Sequence, residues 1–381
     1  MLRSKLPHVD TNIFSTMSQL ANKHGAVNLG QGFPDFPTHQ LLQDALARHV
    51  AGGHNQYAPM TGVQRLREQV ALKTLRMYAR NVDPDTEVTV TSGATEALFA
   101  AVAATVDTGD EVILLDPCYD AYEPAVTLQH ARAIHVPLTL PGFGPDWDRV
   151  SAALTPRTRM IVVNSPHNPS GAVLEWSDLD ALATLLRGSD VLVLSDEVYE
   201  HIIFDGRQHQ SVLRHAELAE RSFVVSSFGK TYHCTGWKVG YCIAPPALSA
   251  EFRKVHQYLT FATFTAAQHA FADVLEADPR HHLDLPAFYA ARRDRFRDLI
   301  GESRFALLPV AGAYFQVVDY SAIADCDDVS FCEWLVREKG VAGIPVSVFY
   351  DAAPADLKLV RFCFAKTEAT LSQAGQRLSS V

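Results

Sequence analysis

The sequence predicts an α/β fold: a three-layer α/β/α large domain with a mainly parallel seven-stranded sheet, plus a smaller α+β domain. Three observations point there. Between residues 88 and 243 the apolar runs are continuous rather than alternating, which marks strands buried on both faces. Helical periods fill the gaps between them, as the crossovers of a parallel sheet require. A chain of 381 residues, 48% hydrophobic, is long enough to bury a large core and to divide in two.

In chain order, residues 1–45 read as turn-rich. Asn28-Leu29-Gly30-Gln31-Gly32-Phe33-Pro34-Asp35-Phe36-Pro37 crowds glycine and proline together, which suits a loop lining a site. Gly30-x-Gly32 is not followed by a strand-to-helix pattern, so it is no dinucleotide fingerprint. Runs 88–91, 111–115, 133–136, 160–163, 191–194, 223–225 and 239–243 supply the seven strands. Helices are predicted among them at 96–106, 177–186 and 248–259. A helix over 286–300 then leads to strands at 305–308, 314–318 and 358–362, with helices at 329–339 and 368–378. The large domain is placed at 46–285, and the small one at 1–45 together with 286–381.

Bulk properties exclude several functions. There are 33 basic and 43 acidic residues, a net of −10, and no basic stripe, which argues against nucleic acid or an anionic membrane surface as partner. No apolar run approaches the ~18 residues of a membrane span. The stretch 1–7 lacks the apolar region of a signal peptide, so a cytoplasmic location is expected. Six cysteines show no C-x-x-C pair and read as buried thiols of a reducing compartment. Sixteen histidines, His281-His282 among them, show no metal-ligand spacing, so no metal is expected.

In open α/β sheets ligands bind beyond the carboxyl ends of the strands, so those ends carry the chemistry. After 88–91 comes Ser92-Gly93-Ala94-Thr95-Glu96, a small-residue turn opening a helix. Its free N–H groups form either a phosphate site or an ordinary cap by Ser92 or Thr95. After 111–115, Tyr119 offers an aromatic face for a flat ring or for packing. After 160–163, Asn168 offers an amide in a turn-rich segment. After 191–194, Asp196 is an acid at the end of a buried strand, and it needs a cation or donors to stay there. Tyr199 follows with a phenol. After 223–225, Lys230 presents an amine able to form a Schiff base. Together these match the needs of a phosphorylated pyridine aldehyde.

The chain resembles the pyridoxal-phosphate-dependent aminotransferases of class I/II, with the aspartate-aminotransferase-like fold. The resemblance rests on Asn164-x-Pro166-x-Asn168-Pro169-x-Gly171, Asp196-Glu197-x-Tyr199 and Ser227-x-x-Lys230 with Lys238. Tyr119-Asp120-x-Tyr122, Gly229-Lys230-Thr231 and His256-Gln257-Tyr258-Leu259-Thr260-Phe261 are most similar to the methionine and kynurenine–oxo-acid branch. Ser170, Tyr119 and Cys234 depart from the usual residues at their positions.

The resemblance implies an aminotransferase that holds pyridoxal 5′-phosphate through a Lys230 Schiff base. Asp196 then meets the ring nitrogen, Tyr199 and Asn168 the ring oxygen, and Tyr119 the ring face. Gly93, Ala94, Thr95, Ser227 and Lys238 hold the phosphate, joined by Tyr57 from a neighbouring subunit of a homodimer with shared active sites. Arg361 and Gly32 belong to the substrate site, Arg361 matching the α-carboxylate. Phe14, Phe33, Tyr119, Phe261 and Phe264 read either as an aromatic side-chain pocket or as core. No motif places a second arginine for a distal carboxylate, which favours a bulky neutral amino acid (methionine, aromatic or kynurenine-like) giving its amino group to a 2-oxo acid.

Three rival readings remain. A carbon–sulfur β-lyase keeps the same cofactor and site. A non-catalytic effector-sensing domain of this fold calls for a DNA-binding module. Ser227-x-x-Lys230 also occurs in penicillin-binding proteins, but the companion S-D-N and K-T-G motifs do not fall where that reading needs them.

Overall fold

The computed structural model describes residues 4–7, 9 and 12–381. The reading of 1–7 as lacking a signal peptide falls partly outside them.

Seven strands form the large sheet: β1 Val88–Thr91, β2 Glu111–Asp116, β3 Arg132–Pro137, β4 Thr158–Asn164, β5 Leu192–Asp196, β6 Ser222–Ser227 and β7 Gly240–Ile243. Their order is β1-β7-β6-β5-β4-β2-β3. Only β7 runs against its neighbours, β1 and β6. Strands β1, β2, β5 and β7 are buried at every residue, because helices cover both faces of the sheet. That burial is why the apolar runs are continuous.

The smaller sheet is antiparallel, with β8 Ala306–Leu307, β9 Phe315–Asp319, β10 Ile344–Pro345 and β11 Leu359–Cys363 in the order β10-β11-β9-β8. Val27–Asn28 pairs in parallel with Val341–Ala342, which ties the N-terminal segment to this half. Its core gathers Met17, Leu29, Phe296, Phe315, Phe331 and Phe362.

Three expectations are corrected. Residues 1–45 are not mainly turns: Ile13–His24 is a helix, capped by the Asn12 side chain at the Phe14 N–H. A second helix, Gln40–Ala51, crosses the expected boundary at 45/46. It buries Leu42 and Ala45 in the large core and packs on the helix Thr265–Ala277, so the large half begins before residue 46. The helix placed at 286–300 starts at His281 and runs through Pro286, its sixth residue, where proline removes the bond to the His282 carbonyl without ending the helix. Among the described residues, no helix is long and apolar enough to cross a membrane.

Candidate active site

A cavity of about 240 Å³ opens where the carboxyl ends of β4, β5 and β6 face the small sheet. The helix Phe228–Thr231 follows β6 directly and carries Lys230 into this cavity. Ser227 caps it, its hydroxyl accepting from the Gly229 N–H at 3.2 Å. That bond makes Ser227 a helix cap facing the cavity, not a nucleophile beside a base.

Lys230 Nζ donates to the Tyr314 hydroxyl at 2.8 Å and to the Gly32 carbonyl at 3.1 Å. Neither partner is charged. Burial brings the amine down to about 8; Arg361 and Lys238 push the same way, while Asp196 pulls against them. An amine so placed reaches its reactive free-base form near neutral pH.

Asp196 ends β5 and is 3% exposed. Its carboxylate accepts from the Tyr122 hydroxyl at 2.8 Å and from the Val198 N–H at 3.2 Å. No cation pairs with it among the described residues. Burial therefore outweighs those donors and raises its pKa to about 6. Asn164, beside it on β4, donates to the Asp196 carbonyl at 2.8 Å and accepts from the Asn168 N–H at 2.8 Å. The Asn168 turn is thereby fixed against the acid.

The turn after β1 closes the opposite wall. The Ser92 side chain makes no cap bond to the helix Gly93–Thr105, and Glu96 accepts only from the Ser92 N–H at 3.0 Å, which leaves the next N–H groups for the cavity. The cap reading for Ser92 and Thr95 is thus not what the structure shows. Gly93 sits at φ +75°, and a Cβ there would meet Lys238 Cε at 3.2 Å. Lys238 Nζ approaches Thr95 Oγ1 at 3.5 Å, setting a cation over this helix end. Tyr119 lines the cavity with its phenol pushed up to about 12, chiefly by burial.

Arg361, on β11, is 1% exposed. It donates to the Asn168 amide oxygen at 2.7 Å and to the Gly30 carbonyl at 2.8 Å. The rings of Phe315, Phe14 and Phe349 surround its guanidinium, and its Nε has no partner. A buried guanidinium with no carboxylate against it is a ready receptor for a ligand carboxylate.

The structure thus brings thirteen of the sequence-predicted residues to one cavity: Phe14, Gly32, Gly93, Ala94, Thr95, Tyr119, Asn168, Asp196, Tyr199, Ser227, Lys230, Lys238 and Arg361. Phe33, Phe261 and Phe264 do not line it and stand 44%, 45% and 50% exposed, so the aromatic pocket within this chain shrinks to Phe14, Tyr119 and Phe315. Tyr57 is 81% exposed and meets Phe261 edge-on at 5.2 Å, away from the cavity. Sequence reasoning missed Tyr314, whose hydroxyl joins Lys230 to Gly32 by donating to that carbonyl at 2.6 Å. No local signal marked it. Tyr122 stood in a quoted motif, but without its role at Asp196.

These residues fit pyridoxal 5′-phosphate by the chemistry of the donor set. An unpaired buried carboxylate awaits a protonated ring nitrogen, an amine of lowered basicity awaits an aldehyde, and an uncapped helix end with a lysine awaits a phosphate.

Comparison with known proteins agrees. The family described as aminotransferase class I and II matches residues 24–378. The methionine aminotransferase of Escherichia coli (strain K12) is 55% identical over 376 residues, covering 99% of this chain and 97% of that one. Kynurenine–oxoglutarate transaminase 1 of Mus musculus is 34% identical over 409 residues, with 99% and 96% covered. The solved structure of N-succinyldiaminopimelate aminotransferase from Mycobacterium tuberculosis superposes with a TM-score of 0.96 at 41% identity, covering 100% of both chains. The cavity and these likenesses lead to one conclusion: the chain belongs to the class I and II aminotransferases, enzymes that depend on pyridoxal 5′-phosphate.

Proposed function

We propose that the chain moves the amino group of a bulky neutral amino acid (methionine, an aromatic or a kynurenine-like one) to a 2-oxo acid. The observation that carries this reading is the cation inventory of the cavity. Lys230, Lys238 and Arg361 are its only cationic side chains among the described residues, and each has a use. None is left for a distal carboxylate, while Phe14, Tyr119, Leu98 and Phe315 offer apolar surface.

When bound, the cofactor supplies an electron-withdrawing ring that makes the substrate Cα–H acidic. Asp196 holds the proton of the ring nitrogen, and its buried, hydrogen-bonded carboxylate keeps that charge close. Tyr199 and Asn168 orient the ring oxygen, and Tyr119 covers the ring. The N–H groups of Gly93, Ala94 and Thr95, the Ser227 hydroxyl and Lys238 hold the phosphate. Lys230 would anchor the cofactor, and its Nζ would be the base placed to move the proton from the substrate Cα. Arg361 fixes the substrate α-carboxylate, and Gly32 closes the wall beside it.

Tyr57 and Phe261, exposed together, are proposed to complete the site of a neighbouring copy in a homodimer. The six cysteines are all free, which supports a reducing, cytoplasmic setting.

The test is a panel of amino donors and oxo-acid acceptors with the cofactor-loaded enzyme. Methionine, phenylalanine and kynurenine are expected to yield their oxo acids with stoichiometric amino-acid product. Preference for N-succinyldiaminopimelate, or release of pyruvate and ammonia from cysteine conjugates, overturns the substrate or the reaction assignment respectively.

A further inference from the structure

Three histidines far apart in sequence meet on the outer face of the large half. His49 lies near the end of the helix Gln40–Ala51. Gly53, at φ +90°, turns the chain back so that the His54 N–H donates to the His49 carbonyl at 3.0 Å. His269 arrives on the helix Thr265–Ala277, which packs against the first helix. One ring nitrogen of each residue lies within 4.8 Å of the others. The ring centroids are 4.9 Å apart for His49 and His54, 5.2 Å for His49 and His269, and 4.2 Å for His54 and His269.

The tautomer of His49 is set by its neighbour. Its Nε2 lies 2.8 Å from an Asp273 carboxylate oxygen, which Arg65 also contacts at 3.1 Å through the other oxygen. An ionised carboxylate accepts, so Nε2 carries the proton and Nδ1 presents a lone pair. That lone pair points at His54 Nδ1, 3.0 Å away. Two ligands of a tetrahedral zinc ion at 2.0–2.1 Å stand roughly 3.3 Å apart. His54 is exposed, so water can take up the proton on its other nitrogen. A carboxylate that accepts from the far ring nitrogen of a histidine orients that histidine as a ligand in many metal sites.

We propose that His49, His54 and His269 bind a divalent zinc-class cation, with Asp273 orienting His49. Three neutral imidazole nitrogens suit zinc, nickel or copper rather than magnesium or calcium. The spacing 49, 54 and 269 has no local signature in the sequence; only helix packing makes the cluster. The cation pins the turn that leads to Tyr57. That turn is already stitched to the second helix by Thr265, whose hydroxyl donates to the Gln56 carbonyl at 2.7 Å and accepts from the Ala58 N–H at 3.0 Å.

The test is calorimetric titration of cofactor-loaded, chelator-treated enzyme with zinc chloride, beside His54→Ala and His269→Ala variants. The wild type is expected to take one zinc per chain at this site, and each variant to bind it at least tenfold more weakly. Asp273→Asn should weaken it by about tenfold. Zinc should raise the melting temperature of the wild type and not of His54→Ala. Because His54 is exposed, an unchanged melting temperature of that variant in chelator certifies its fold. Absence of uptake by the wild type, or equal uptake by the wild type and both alanine variants, overturns the site.

Discussion

Arg361 donates to the amide oxygen of Asn168 at 2.7 Å across 193 residues of sequence. The bond joins the small sheet to the turn after β4, and it aims a buried guanidinium at the cavity instead of at a protein carboxylate. An arginine buried without an acid persists only where neutral oxygens and rings surround it and a ligand completes it.

Arg361→Lys removes the planar fork while keeping the charge. Steady-state kinetics should show kcat/KM for the amino donor falling by about 100-fold, the ~3 kcal/mol of two charge-assisted bonds. The loss should fall mainly on KM. An unchanged KM would mean that the carboxylate docks elsewhere.

Asp196→Asn keeps one oxygen, for the Val198 N–H, and turns its NH2 to the Tyr122 hydroxyl, which then accepts instead of donating, so the fold should survive with a similar melting temperature. Turnover should fall by about 10²–10³, as when one preorganised electrostatic contact is deleted. Near-normal turnover would show that Asp196 is a structural acid only.

Lys230 should titrate near 8 rather than at the ordinary 10.5, because burial disfavours its charged form. In cofactor-free enzyme, its modification by limiting trinitrobenzenesulfonate should rise with pH and level off above about 8. Asp196→Asn removes an anion that favours the ammonium, so it should move the midpoint lower still. A midpoint near 10.5 would contradict the environment described for this amine.

Lys73 and Glu200 form a buried pair at 2.7 Å beneath the sheet, with Glu200 also accepting from the hydroxyls of Tyr78, Tyr241 and Ser226. Burial pushes the Glu200 carboxyl up, but Lys73, His201 and the hydrogen bonds outweigh it and hold the pKa well below 4.5. The stabilisation is therefore complete above the unfolded value of 4.5 and is lost as pH falls through the lower folded one. Lys73→Met should cost about 3–5 kcal/mol in denaturant unfolding at neutral pH. It should also start acid unfolding at higher pH than in the wild type.

Much of this was legible because buried strands declare themselves. The runs 160–163, 191–194 and 223–225 are uniformly apolar, and the reactive residues follow within a few positions. The helix Gln64–Tyr78 escaped notice since it buries Arg67 and Lys73, whose charges interrupt its apolar stripe. The antiparallel course of β7 left no trace, because direction does not alter composition. Tyr314 stood in a run read only as a strand; the fold alone sets its hydroxyl on a carbonyl 282 residues away. Phe261 is the opposite case, an aromatic in a family-like string that this chain leaves exposed and outside its own cavity.

The central claim is that Lys230, and not the nearby Lys238, holds the cofactor. Borohydride reduction of the loaded enzyme followed by peptide mass mapping tests it directly. A phosphopyridoxyl mass is expected on the peptide carrying Lys230, with its loss in Lys230→Ala. The adduct on Lys238, or on any lysine outside the cavity, would contradict it.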